Sequence, residues 1–302
     1  MTRSDATTVS VQRDVPFQEV GDETLHLDIY DAPATSGPKP VAVLVRGGGF
    51  TVGDKGEFAR HAIDLAADGY VVVEPQYRLA PEWTFPAPLI DVKAAIEWCR
   101  AEGEGYGADP NRIVAAGHSA GANLVVLAAA TADDPALEPD LYPGTSSALS
   151  AVVGYAGVYD FRAFERLDES EQDVDTHEQY LGGTPSEVPA AYELASPVAQ
   201  ADVSMPPTLL LHGEDDAVIP PSQSALMAET LDPLTTVQNE VLPSDHGFPF
   251  HGAFYDEVYE RTARFFDQHA GTGPETDAGL GGVGRPTTVR PGDNGRKFKC
   301  SR

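Results

Sequence analysis

Three short stretches of the sequence carry residue types that together could break an acyl bond. Gly117-His118-Ser119-Ala120-Gly121 holds a serine with small residues two positions away on either side. That spacing lets a chain turn sharply from strand to helix and expose a strained serine hydroxyl. A hydroxyl is a weak nucleophile near neutral pH; it needs an imidazole to take its proton and a carboxylate to hold that imidazole in the right tautomer. His212-Gly213-Glu214-Asp215-Asp216-Ala217-Val218-Ile219-Pro220 offers Asp216, and Pro243-Ser244-Asp245-His246-Gly247-Phe248 offers His246. Serine, then aspartate, then histidine is one of the chain orders in which such a triad occurs. Asp215 stands beside Asp216 as a competing acid, and His251 lies near His246. Asp216 holds the favoured register of its loop, and of the two histidines only His246 is followed directly by glycine. His118 and His212 are expected to shape the site or bond locally rather than to act as bases.

Acyl transfer also needs N–H donors aimed at the oxyanion of its tetrahedral intermediate. Arg46-Gly47-Gly48-Gly49-Phe50 follows an apolar run, and glycine lets backbone approach a substrate closely. Gly48, Gly49 and Ala120, the residue after the serine, are the expected donors. No G-x-G-x-x-G follows a strand, which removes the dinucleotide reading. No cofactor and no metal are expected.

The elements that must position these residues alternate. Val11–Val20 and Thr24–Tyr30 read as strands with one solvated face, an antiparallel pair at a sheet edge. Val41–Val45, Gly69–Val73, Arg112–Ala116, Ala148–Tyr155, Pro207–Gly213 and Val237–Leu242 read as further strands, the central ones buried on both faces. Helices are expected near 57–68, 88–99 (amphipathic), 122–130, 222–231 and 254–269. Strands and helices in alternation predict an α/β protein with a mostly parallel sheet covered by helices on both faces. Residues 158–205 break the pattern and are expected to form a small inserted lid of short helices above the sheet. From residue 271 the chain turns rich in glycine, proline and threonine, with six basic against three acidic residues, and is expected to be a disordered tail outside a 1–270 domain.

Composition narrows the partners. The 302 residues hold 47 acidic and 20 basic side chains, a formal net charge of −27. Such a surface repels nucleic acid and anionic membrane, so neither is expected as a partner. Only five lysines occur, and an acidic, lysine-poor surface suits a salt-loving cell, where molar salt screens self-repulsion. Two cysteines make no disulfide framework. Met1–Ser10 has no apolar signal core, and no run reaches the length of a membrane span, so a soluble cytoplasmic protein is expected. A homodimer is left open.

Several of these stretches in combination resemble a known family. Ser119 in its glycine-flanked turn, the Arg46–Phe50 loop, Tyr77-Arg78-Leu79-Ala80-Pro81-Glu82, Phe85-Pro86-Ala87-Pro88 with Asp91, and Asp109-Pro110-Asn111-Arg112-Ile113 are similar to α/β-hydrolases of the hormone-sensitive-lipase-like group, from about residue 11 to residue 269. The related acetyl-xylan and feruloyl esterase-like branch is also similar. The resemblance implies the α/β-hydrolase fold and a carboxylesterase acting on short acyl esters, a small-molecule substrate, without a cofactor. Two departures stand out. Arg46 occupies the place where the family has histidine, and its fixed charge is expected to favour anionic or polar acyl groups. The segment Met1 to Pro40, ahead of the strand that leads into the glycine loop, is short for the family's N-terminal cap, and a more open pocket is expected. Amide hydrolysis by the same triad is the rival reading; a non-catalytic binding protein is disfavoured, because all three triad members are present.

Overall fold

The computed structural model describes residues 7–33, 37–163 and 171–270, with backbone alone for 171–175. The tail expected from residue 271 lies outside the described residues, as does part of the expected lid, 164–170. In chain order the elements are β1 (Ser10–Val20), β2 (Glu23–Asp31), β3 (Lys39–Val45), α1 (Ala59–Ala67), β4 (Val71–Pro75), α2 (Ala87–Glu102), β5 (Ala108–His118), α3 (Ala120–Ala130), β6 (Ala151–Tyr155), α4 (Glu171–Leu181), α5 (Pro189–Leu194), α6 (Pro197–Gln200), β7 (Thr208–Gly213), α7 (Ser222–Leu231), β8 (Val237–Leu242) and α8 (Tyr255–Ala270). The strands form one eight-stranded sheet in the order β1-β2-β4-β3-β5-β6-β7-β8. β1 and β2 pair antiparallel, as do β2 and β4; every later pair is parallel.

Alternation along the central strands explains the layers. Val41, Val43 and Val45 face one core with Leu89 and Val92 of α2 and Leu124 of α3. Their neighbours Ala42 and Leu44 face a second core with Ala62 and Leu65 of α1 and Val258 and Phe266 of α8. A strand buried on both faces reads as a continuous apolar run because each face meets a helical layer. The α8 layer is also fastened by phenols: Tyr70, Tyr255 and Tyr259 donate to Asp267, Asp64 and Asp68 at 2.8, 2.7 and 2.6 Å. Among the described residues no helix is long and apolar enough to cross a membrane.

Two expectations are corrected here. β2 is solvated only at its start; Leu27 to Tyr30 are buried on both faces, because Leu27 and Ile29 join the first core while Tyr30 joins the second, where α1 packs over the strand. α2 is not half-solvated either. Asp91, Lys93 and Glu97 are buried along with its apolar residues, since β1 and the segment after α3 close over it. Two of them are paired: Arg78 grips Asp91 through both carboxylate oxygens, and Lys93 meets Glu138 at 2.6 Å, whereas burial and the neighbouring Glu138 push the Glu97 carboxyl up to about 8.

The sheet order puts the crossover where it matters. From β3 the chain goes outward to β4 and then returns to β5 on the other side of β3, so the carboxyl ends of β3 and β5 open onto a crevice, the usual ligand position in such sheets. β3 ends at the glycine loop and β5 ends one residue before Ser119.

Candidate active site

Ser119 is held in a backbone conformation that few non-glycine residues adopt, φ 54° and ψ −118°, between β5 and α3. Close backbone approach is what requires the flanking glycines. A methyl on Gly121 would stand 2.1 Å from the Val45 carbonyl oxygen and 2.4 Å from that of Arg46; one on Gly117 would stand 2.2 Å from the Gly121 oxygen. The turn is pinned by the Ser119 N–H, which donates to Tyr155 O at 2.8 Å. All of α3 is buried, and Asn123 on it donates to Val158 O and Ala195 O, tying the helix to the segment between β6 and β7.

The loop after β7 carries the acid. Asp216 is 3% exposed, whereas Asp215 is turned to solvent, which separates the two neighbours. Asp216 Oδ1 accepts the N–H groups of Val218 and Ile219, both at 2.9 Å, and Oδ2 lies 2.7 Å from His246 Nδ1. His212, fully buried, brings Nε2 to 3.2 Å from Oδ2 and to 2.9 Å from Ile219 O, with Nδ1 2.6 Å from the Ser224 hydroxyl. Burial pulls the Asp216 carboxyl upward, but the contacts with His212 and His246 and the Ile219 N–H outweigh it and hold the group well below the usual carboxylate range. A carboxylate accepts only, so His246 Nδ1 carries the proton and Nε2 is left as an acceptor. His251 is half exposed and faces Asp245 at 3.3 Å, away from this arrangement.

Ser119, His246, Gly48, Gly49 and Ala120 line one cavity of about 360 Å³, together with Phe50, Val158, Thr176, His177, Val218 and Ile219. Gly48 and Gly49 have φ of 105° and 57°, and a side chain on Gly48 would meet Val52 O at 2.1 Å. The residues singled out in the sequence are thus brought together, with Asp216 behind His246; Thr176 and His177 belong to the stretch expected as a lid, 158–205, but were not singled out in it.

Arg46 does not line this cavity. Its guanidinium lies over the Tyr77 ring, 4.1 Å from the centroid, and donates to Gly47 O, Val52 O and the Tyr77 hydroxyl at 2.8, 2.6 and 3.1 Å. The guanidinium is thus aimed at the loop's own carbonyls and not into the cavity, so the contact on which the expected preference for anionic or polar acyl groups would rest is not made. Tyr77, whose hydroxyl burial pushes up to about 12, donates to Gly47 O at 3.0 Å. Glu57, another residue that sequence reasoning missed, accepts the Gly47 N–H at 2.7 Å.

A mostly parallel sheet, a strained serine between strand and helix, and an Asp–His pair on the loops after β7 and β8 define an α/β-hydrolase. The chain belongs to the BD-FAE family, whose model matches residues 27–231 and so includes Ser119 and Asp216. It is 34% identical over 242 residues to Esterase LipQ of Mycobacterium tuberculosis, covering 77% of this chain and 56% of LipQ. It is 35% identical over 216 residues to Esterase LipC of the same organism, covering 70% and 53%. The chain thus spans little more than half the length of these relatives. Among solved structures, a thermophilic esterase of Thermogutta terrifontis with butyrate bound superposes with a TM-score of 0.69 at 25% identity, covering 87% of this chain and 94% of that one.

Proposed function

We propose that the protein is a serine-dependent carboxylic ester hydrolase acting on short acyl esters, with Ser119 as nucleophile, His246 as general base and acid, and Asp216 orienting His246. The observation that carries the reading is the common cavity of Ser119, His246 and the two glycines, with His246 Nδ1 fixed on Asp216 at 2.7 Å. In this mechanism His246 Nε2 takes the Ser119 proton as Oγ attacks the acyl carbon. The oxyanion is met by the N–H groups of Gly48, Gly49 and Ala120, each such donor being worth about 3 kcal/mol. His246 then gives the proton to the departing alcohol, and a water activated by the same nitrogen releases the acid from Ser119.

A cavity of about 360 Å³ with a largely apolar lining supports a short, uncharged acyl group. The esterase names of LipQ and LipC and the butyrate in the Thermogutta terrifontis relative point the same way. The described residues of the expected lid, 158–163 and 176–205, are read as bordering the substrate, supported by Val158, Thr176 and His177 at the cavity wall. The charge of −27 supports a protein that works in concentrated salt. Replacing Ser119 by alanine should abolish hydrolysis of p-nitrophenyl acetate and butyrate at high salt, together with labelling by a fluorophosphonate. Undiminished turnover in that variant would end the proposal.

A further inference from the structure

His118, which precedes Ser119, is the meeting point of three loops. Its Nε2 lies 2.9 Å from the main-chain oxygen of His246. A carbonyl can only accept, so Nε2 carries a proton and donates it. The other edge of the ring is turned to Glu57, with Nδ1 3.6 Å from Oε1, an ion pair whenever His118 is protonated. Glu57 Oε2 in turn accepts the N–H of Gly47, the residue before the two glycines that line the cavity. The carboxyl of Glu57 is held below its usual range: burial opposes this, and the contacts with His118 and Gly47 override it. The ring is caged by the edge of Phe250, centroids 5.1 Å apart, and by the His246 ring at 4.8 Å, and it is nearly inaccessible to solvent. The other titratable and charged groups near this chain of contacts are Arg46 and Tyr77, which act on Glu57, and Asp216 and His212 behind His246.

We propose that Glu57 and His118 are positioning residues for the triad: the pair ties the glycine loop on one side and the main chain of His246 on the other to the turn that carries Ser119. The oxyanion donors and the base enter on separate loops, from β3 and β8, and no strand pairing joins those two strands. The Gly47–Glu57–His118–His246 path, two hydrogen bonds joined by a 3.6 Å contact between Glu57 and His118, is a polar link between them that passes through the elbow. His118 borders the cavity beside Ser119, but its ring nitrogens are turned to His246 O and Glu57; each residue acts through the placement of another group, and displacements of the order of 1 Å cost about 100-fold in rate. The inference rests on the serine-hydrolase reading above.

The test is steady-state hydrolysis of p-nitrophenyl acetate, with kcat expressed per site titrated by a fluorophosphonate, in the full chain. His118→Phe keeps the ring volume between Phe250 and His246 and removes the donor; kcat is expected to fall about tenfold with KM within about twofold. His118→Gln restores an N–H at the same reach and should recover most of the loss. Glu57→Ala should resemble His118→Phe, and the double variant should be little worse than either alone, because both break one link. Any of three results overturns the proposal: full kcat in both single variants, no recovery by glutamine, or losses that multiply. Failure of the underlying reading looks different, since the unaltered chain would then resist the fluorophosphonate or Ser119→Ala would stay active.

Discussion

Gly121→Ala tests how tightly the serine turn is built against the end of β3. The added methyl would stand 2.1 Å from Val45 O, while real side-chain carbons do not come closer than 3.0 Å, so the start of α3 or the end of β3 must retreat by about 0.9 Å. Both obstacles are main-chain carbonyls, which have no rotamer to change. Retreat of the helix is resisted along its length, because all eleven residues of α3 are buried. Overpacking of this kind costs about 1–3 kcal/mol, and rigid backbone on both sides puts this case at about 3 kcal/mol. The functional cost follows from the same displacement. Ala120 moves with α3 while Gly48 and Gly49 stay with β3, so donors meant for one oxyanion part by nearly 1 Å, a loss of about 100-fold in kcat/KM. Urea unfolding followed by circular dichroism gives the first quantity and p-nitrophenyl acetate hydrolysis the second. Gly105→Ala is the control, since a methyl there meets nothing within 4 Å, and it should stay within about 0.5 kcal/mol of the parent. A Gly121→Ala protein as stable and as active as the parent would refute the reasoning; one destabilised but fully active would refute its second half.

Other consequences are equally direct. Asp216→Asn leaves the shape of the site but takes away the carboxylate that fixes the His246 tautomer, so kcat should fall about 10³-fold or more, and retention within tenfold would remove Asp216 from its role. His61 is enclosed by Phe58, Phe250 and Tyr255 with no partner for either ring nitrogen among the described residues, and burial pushes it down to about 4. The unfolded chain therefore binds a proton that the folded one refuses between about pH 6.5 and 4, so stability falls as pH drops through that window, by up to about 3 kcal/mol. In His61→Phe the fall should be shallower, read from urea midpoints across that range; an unchanged slope would contradict it. With a net charge of −27, the midpoint should rise as KCl increases from about 0.1 M to about 2 M, and a flat or falling midpoint would exclude relief of self-repulsion.

What the sequence disclosed follows the range of the interactions involved. The sheet and the turn at Ser119 were legible because both are written locally, as apolar runs buried on two faces and as glycines two residues either side of a serine. Asp216 could be told from Asp215 by its place in a short loop, and burial separates them in the structure too. Arg46 was placed in the right loop but aimed in the wrong direction. Its orientation is set by Tyr77, 31 residues on, and by the carbonyl of Val52, and no local pattern announces either. Glu57 could not be found at all, since an acidic residue in a polar stretch gives no sign that it will accept the N–H of Gly47. The burial of Lys93 on α2 was hidden likewise, because its partner Glu138 lies 45 residues on.

The three phenols that fasten α8 bear on how a chain so rich in acids can cohere. An aspartate gripped by arginine or lysine loses part of that grip as salt rises, because mobile ions screen both charges. Tyr70, Tyr255 and Tyr259 are neutral donors, and their bonds to Asp267, Asp64 and Asp68 present no opposite charge for salt to screen. Three members of the acidic surplus thereby become fixings that salt weakens less than it weakens an ion pair. The layer behind the sheet can keep one geometry from dilute buffer to brine, while the ionic contacts elsewhere on the surface loosen.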